Sequence, residues 1–205
     1  MTKTAIAVLM SFLFCAASPA ASAQGPAPAG KPAEKPAGKP AAEAGAAGPA
    51  APKPSPELET MKFLAGPWTC ETSVPAGAMG PGSPATKART TIAFKKDLGG
   101  FFYRGDFEMK AKTTPNMKGS VFIGHQPAAN LFTFSAVDSM GGVEFATSPG
   151  FQGDTIEFTG DAFMMGQKMK VRETITKAGP KEIVHKFEAD SGKGFEAMGE
   201  DHCKR

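Results

Sequence analysis

Between Phe101 and Lys112 the chain reads FFYRGDFEMKAK, and its apolar and charged residues take turns. Phe101, Tyr103, Phe107 and Met109 occupy odd positions, whereas Arg104, Asp106, Glu108 and Lys110 occupy even ones. A period of two suits a strand with one buried and one wet face, and it does not suit a helix. The run FMMGQKMKVRETIT repeats it, placing Phe163, Met165, Met169, Val171 and Ile175 on the face predicted to be buried. Turn sequences (DLGG, QPAAN, SMGG, FQGD, KAGPK and SGKG) interrupt the chain at short intervals. Short strands punctuated this way form an antiparallel meander, and counting the runs gives about ten strands. Closing the meander removes the two edges it would otherwise expose. The predicted fold is all-β, an antiparallel up-and-down β-barrel, with a sandwich as the alternative. A short N-terminal helix over Glu57–Leu64 precedes it, because Ser55-Pro56 resembles an N-cap followed by proline in the first turn.

The strands begin late. Lys3, the apolar run Ala5–Phe14 and the small-residue exit Ala21-Ser22-Ala23 together read as a signal peptide over residues 1–23. Its apolar run is too short to span a bilayer, so no transmembrane segment is expected. Export to the periplasm or the medium follows, and the bulky Phe14 before Cys15 argues against a lipoprotein. Residues 24–54 are rich in Ala, Pro, Gly and Lys, as in KPAEKPAGKPA, and read as a disordered linker. That leaves residues 55–205 for one barrel domain. It carries 18 basic and 18 acidic residues, so the net charge of +3 belongs to the leader and linker. A neutral domain argues against nucleic acid as a partner.

Two cysteines remain after cleavage, Cys70 and Cys203, one near each end of the domain. In an exported protein such a pair reads as a disulfide. If the first and last strands pair antiparallel with these cysteines opposite one another, the only tryptophan, Trp68, falls opposite Arg205. All four side chains then share one face, taken as the interior. An arginine over an indole supplies a cation–π contact, so the four residues are predicted to latch the barrel shut.

A Gly-x-Trp early in a β-meander with a terminal arginine resembles the calycin and lipocalin pattern. The stretches LGGFFYRGDF and GSVFIGHQPAANLFTFSAVDSMGG resemble a bacterial family, domain of unknown function 1579, believed to be calycin-like. Gly99-Gly100, Gly124, Asp138-Ser139-Met140-Gly141 and Arg205 match its pattern. Phe101, His125-Gln126 and Cys203 depart from it. The resemblance implies the calycin-like fold and no particular activity.

No G-x-S-x-G, H-E-x-x-H or phosphate-cradling loop is present. With both cysteines bonded to each other no thiol nucleophile remains, so neither catalysis nor a metal or other cofactor is expected. The predicted function is non-catalytic binding of a small apolar molecule. The candidate lining comprises Tyr103, Phe107, His125, Met169, His185 and Phe187. His185 sits in IVHKF on the face of Ile183 and Phe187; His125 shares the face of Val121 and Ile123. Two alternatives stay open. Nitrobindin-like barrels of similar size hold haem through a histidine near the C-terminus, which draws attention to His202 or His185, although His202 should face outward beside Cys203. The other is an envelope protein with a filled core. Oligomeric state is left open.

Overall fold

The computed structural model describes residues 51–112, 115–190 and 192–205, so the leader and nearly all of the predicted linker lie outside the described residues. Eleven strands follow in order: β1 Gly66–Val74, β2 Thr86–Asp97, β3 Phe102–Ala111, β4 Met117–Gln126, β5 Leu131–Asp138, β6 Val143–Ser148, β7 Phe151–Gln152, β8 Thr155–Met164, β9 Gln167–Gly179, β10 Glu182–Asp190 and β11 Glu196–Lys204. All pair antiparallel with their neighbours. β1 joins β11, β6 joins β8, and ten strands thereby close a barrel, while the two-residue β7 only extends one end of β8.

Closure between β6 and β8 requires close approach. Ala146 stands opposite Gly160, and a Cβ built on Gly160 would fall 2.0 Å from the Phe145 carbonyl oxygen. That neighbour is backbone and cannot swing away. Gly160→Ala should therefore cost about 1–3 kcal/mol, read as a lower urea midpoint with an unchanged m-value.

The segment Pro56–Leu64 is helical, but it is a 3-10 helix and not the α-helix implied by an N-cap reading. Its pattern explains the difference. Leu58, Met61 and Leu64 are the buried residues, spaced by three, and a helix of three residues per turn stacks them along one edge. This edge caps one end of the barrel over Trp68, whose indole N–H donates to the Leu64 carbonyl at 2.7 Å. Ser55 does not cap the helix through its side chain; its hydroxyl lies 2.8 Å from His125 Nδ1.

The first and last strands meet in the register that the cysteines suggested. Cys70 lies opposite Cys203 and is bonded to it. The Arg205 guanidinium stands 4.5 Å from the Trp68 ring centroid and also donates to the Ala65 carbonyl. Gly66, at φ +108°, makes the left-handed step that brings the chain from the helix into β1 beneath this arginine.

Period two holds through the barrel, with one shift of phase. On β8 the even residues Ile156, Phe158 and Ala162 face inward, so Phe163 is 58% exposed, and Met165 in the following turn is 50% exposed. Both had been expected inside. Across the hairpin Ala162 pairs with Met169 and Phe163 with Lys168, and directly opposed residues share a face. The odd residues that point inward on β9 therefore meet even ones on β8.

Candidate functional site

The barrel is filled at the Trp68 end and hollow toward the other. A cavity of about 360 Å³ begins above Leu64 and the disulfide and runs along β1 past Thr72 and Val74. Met140 and Met165, both half-exposed in the β5–β6 and β8–β9 turns, stand at its mouth. Its wall is apolar, built from residues such as Ile92, Phe94, Phe107, Phe134 and Phe187, with seven methionines among the lining residues. Unbranched thioethers adapt to guests of irregular shape.

Into this wall one polar cluster is set. His185 on β10 pairs directly with Asp201 on β11, and Asp201 pairs on its other side with Thr72 on β1. One rung of the barrel thus carries three polar side chains inward. His185 Nδ1 lies 3.1 Å from Asp201 Oδ2, and Nε2 contacts the Glu173 carboxylate from β9. Thr72 donates its hydroxyl proton to Asp201, so the Thr90 hydroxyl, 2.6 Å away, donates to Thr72. Glu144 reaches in from β6 to touch Glu173.

The charges of the cluster follow from these contacts. Burial alone would keep His185 neutral, but the carboxylates of Glu173 and Asp201 outweigh it and hold the imidazole's pKa well above its usual value. Its side chain stands deep among protein atoms and still keeps 27% of its surface accessible, because it lines the cavity. Burial opposes ionisation of Asp201 as well, and the contact with His185 overrides it, lowering that pKa. Glu144 goes the other way. Burial, and then the negative charge of Glu173, push its pKa up to about 9, so it carries a proton at neutral pH. Its Oε1 atom is buried without a hydrogen-bond partner among the described residues. Among the described residues no group of His, Cys, Asp or Glu is arranged to hold a metal ion.

Three of the six residues proposed from sequence line the cavity: Phe107, His185 and Phe187. The other three face inward without reaching it. Tyr103, 1% exposed, packs in the filled half of the barrel. His125 is buried against Phe132 and held by Ser55, away from the cavity. Met169 packs with Ala162, Val171 and Ala189 in a separate cluster. His202 lies on the outer face with 57% of its side chain exposed, beside Glu200.

The chain matches, over residues 53–202, the family described as "Protein of unknown function (DUF1579)". It belongs to that family. In this DUF1579 barrel the matching motif residues do structural work at turns and close contacts. The carboxylate of Asp138 accepts from the Met140 and Gly142 amides and ties the turn at the cavity mouth. A Cβ on Gly124 would meet the Phe102 ring at 2.6 Å. Among curated proteins none matches this DUF1579 chain. Among solved structures it is similar to the crystal structure of Rv2717c from M. tuberculosis, at 13% identity and a TM-score of 0.54, covering 75% of this chain and 99% of that one. A likeness at that identity speaks for the fold alone.

Proposed function

We propose that this barrel is an exported, non-catalytic binding protein that holds a small, largely apolar molecule in its cavity. In that use of a barrel interior it is calycin-like. The observation that carries the reading is the apolar, methionine-rich hollow of about 360 Å³, which is within the range of small-molecule sites. A filled core would leave no such space. Catalysis has little to draw on: both nitrogens of His185 are held by carboxylates, so the ring is not paired with a hydroxyl or thiol that it could activate. The same commitment leaves His185 no nitrogen for haem iron, and His202 points away from the cavity.

The test uses the mature, disulfide-bonded protein recovered from an exporting host. Native mass spectrometry should find a co-purifying small molecule. The fluorescent probe N-phenyl-1-naphthylamine should bind with a blue-shifted, enhanced emission. Ala136→Trp, which places an indole among the cavity-lining residues, should weaken the probe by about tenfold or more without unfolding the barrel. A protein that carries no extra mass and takes up no probe would sink the reading. The export part is checked separately, by N-terminal sequencing, with Gln24 expected first.

A further inference from the structure

On the outer wall of the barrel the exposed apolar side chains are gathered, not scattered. Six of the eight large ones that stand most exposed among the described residues are Val137, Met140, Val143, Phe145, Phe163 and Met165, each 48–58% exposed. They lie on β5, β6, β8 and the turns beside them. Strand register sets them side by side. Val143 stands between Val137 on β5 and Phe163 on β8, and Phe145 lies two residues along β6 on the same outer face. The alternate residues Glu144 and Ala146 are buried. The patch does not stop at the rim. Met140, Val143 and Met165 also line the cavity, so apolar surface runs unbroken from the outer wall over the mouth and into the hollow. A contiguous exposed patch of this kind marks a contact surface, and this one borders the way into the site.

Resting on the binding reading above, we propose that this patch docks the barrel on an anionic lipid bilayer, from which the apolar guest passes through the mouth without crossing water. The flanking charges fit such a surface. On the β4 side Lys118 and, one strand further, Lys110 share the single carboxylate of Glu108; on the β9 side Lys168 and Lys170 share that of Asp161. Four lysines thus stand against two acids, and all four side chains are more than half exposed. Lys168 Nζ lies 6.0 Å from the Phe163 ring centroid, at the edge of the patch. Asp138, the acid at this rim, turns its carboxylate onto the Met140 and Gly142 amides. A surface that is apolar in the middle and basic at its border settles at the headgroup boundary, with the apolar part buried and the ammonium groups among lipid phosphates. A second copy of the chain fits less well. Six side chains fall far short of the roughly twenty to thirty residues a side of a stable interface, and a copy seated there would stopper the mouth.

Vesicle sedimentation with the mature protein tests this. Vesicles of phosphatidylglycerol and phosphatidylethanolamine should bind it about tenfold more tightly than vesicles of phosphatidylcholine, and about 0.5 M salt should remove most of that preference. Phe163→Trp places an indole on the patch, while Trp68 stays buried; its emission should move to the blue on docking and be quenched by brominated acyl chains. Phe145→Ser combined with Phe163→Ser should lower vesicle affinity about tenfold or more, and Lys118→Glu combined with Lys168→Glu should abolish the preference for anionic lipid. None of these four residues lines the cavity, so N-phenyl-1-naphthylamine binding measured without vesicles should be unchanged in both variants. Equal sedimentation with both lipids, or a serine variant that sediments like the unaltered protein, would overturn the docking while leaving a binding barrel in place. A dimer that the serine variant dissociates would give the patch to a second copy and overturn it as well. Should the serine variant not fold, the lipid comparison and the tryptophan reporter still decide. Absence of probe binding from the unaltered protein would strike the binding reading, and with it the passage of a guest, whatever the vesicles show.

Discussion

Replacing Cys70 and Cys203 by serine lowers the free energy of unfolding by about 3–5 kcal/mol and the melting temperature by about 10 °C. The bond joins residues 133 apart, so the unfolded chain it constrains is nearly the whole domain. Loop-closure entropy for such a span is roughly 5 kcal/mol, and removal of native disulfides falls at or below that figure. The folded barrel should survive. β1 and β11 remain paired by their backbone, and Arg205 still covers Trp68. Trp68 is the only tryptophan, so its emission follows the closure region without interference. Urea titrations with and without reductant should show native emission at low urea in both, with the midpoint shifted. A shift equivalent to less than about 1 kcal/mol would show that the strands are held by pairing and packing alone.

The second large effect is a loss of stability with rising pH. Glu144 binds its proton with a pKa of about 9 when folded, against 4.5 when exposed. Between those values the folded state holds a proton that the unfolded state has lost, so raising pH across that window favours unfolding. His185 acts with the same sign: its pKa is raised in the fold, so its contribution is present below about 6.5 and lost as pH climbs through the raised value. Asp201 acts oppositely, since its lowered pKa stabilises above the ordinary carboxylate range and is lost in acid. Stability should therefore peak in mild acid. Each full proton of difference is worth about 1.4 kcal/mol per pH unit, so Glu144 alone accounts for a loss of about 4 kcal/mol between pH 5 and 8, and His185 adds to it above about pH 6.5. Glu144→Gln removes the largest contributor and should at least halve that slope. Parallel slopes for the two proteins would mean that Glu144 is ionised in the folded state.

The architecture was legible because it rests on two local signals. Alternation identified the strands, and two cysteines in a chain of strands fixed the register of the closing pair, from which Arg205 over Trp68 follows. The site was harder. Glu173 lies between Val171 and Ile175 on the inward face of β9, and Asp201 lies two residues before Cys203, so strand parity alone would have placed both inside. A carboxylate in such a pattern ordinarily marks a wet face, and here the imidazole of His185 makes both tolerable inside. Glu144 gave no such signal: Val143 and Phe145 on either side are apolar yet 51% and 56% exposed, so the pattern of β6 points the wrong way. Nor does parity tell which inward residues border empty space. That depends on which half of the barrel is filled: Tyr103 and His125 fell on the filled side, and Met169 is covered by its own small cluster with Ala162, Val171 and Ala189.

The bond between the first and last strands also changes what a broken chain means for this molecule. A protease that nicks any hairpin between β2 and β10 leaves two fragments, one ending in each sulfur-linked strand, and both still belong to one covalent body. A single cut should pass unnoticed on a non-reducing gel and appear only once the sulfurs are reduced. In an exported protein, as proposed above, that arrangement would let the barrel outlast its first wound.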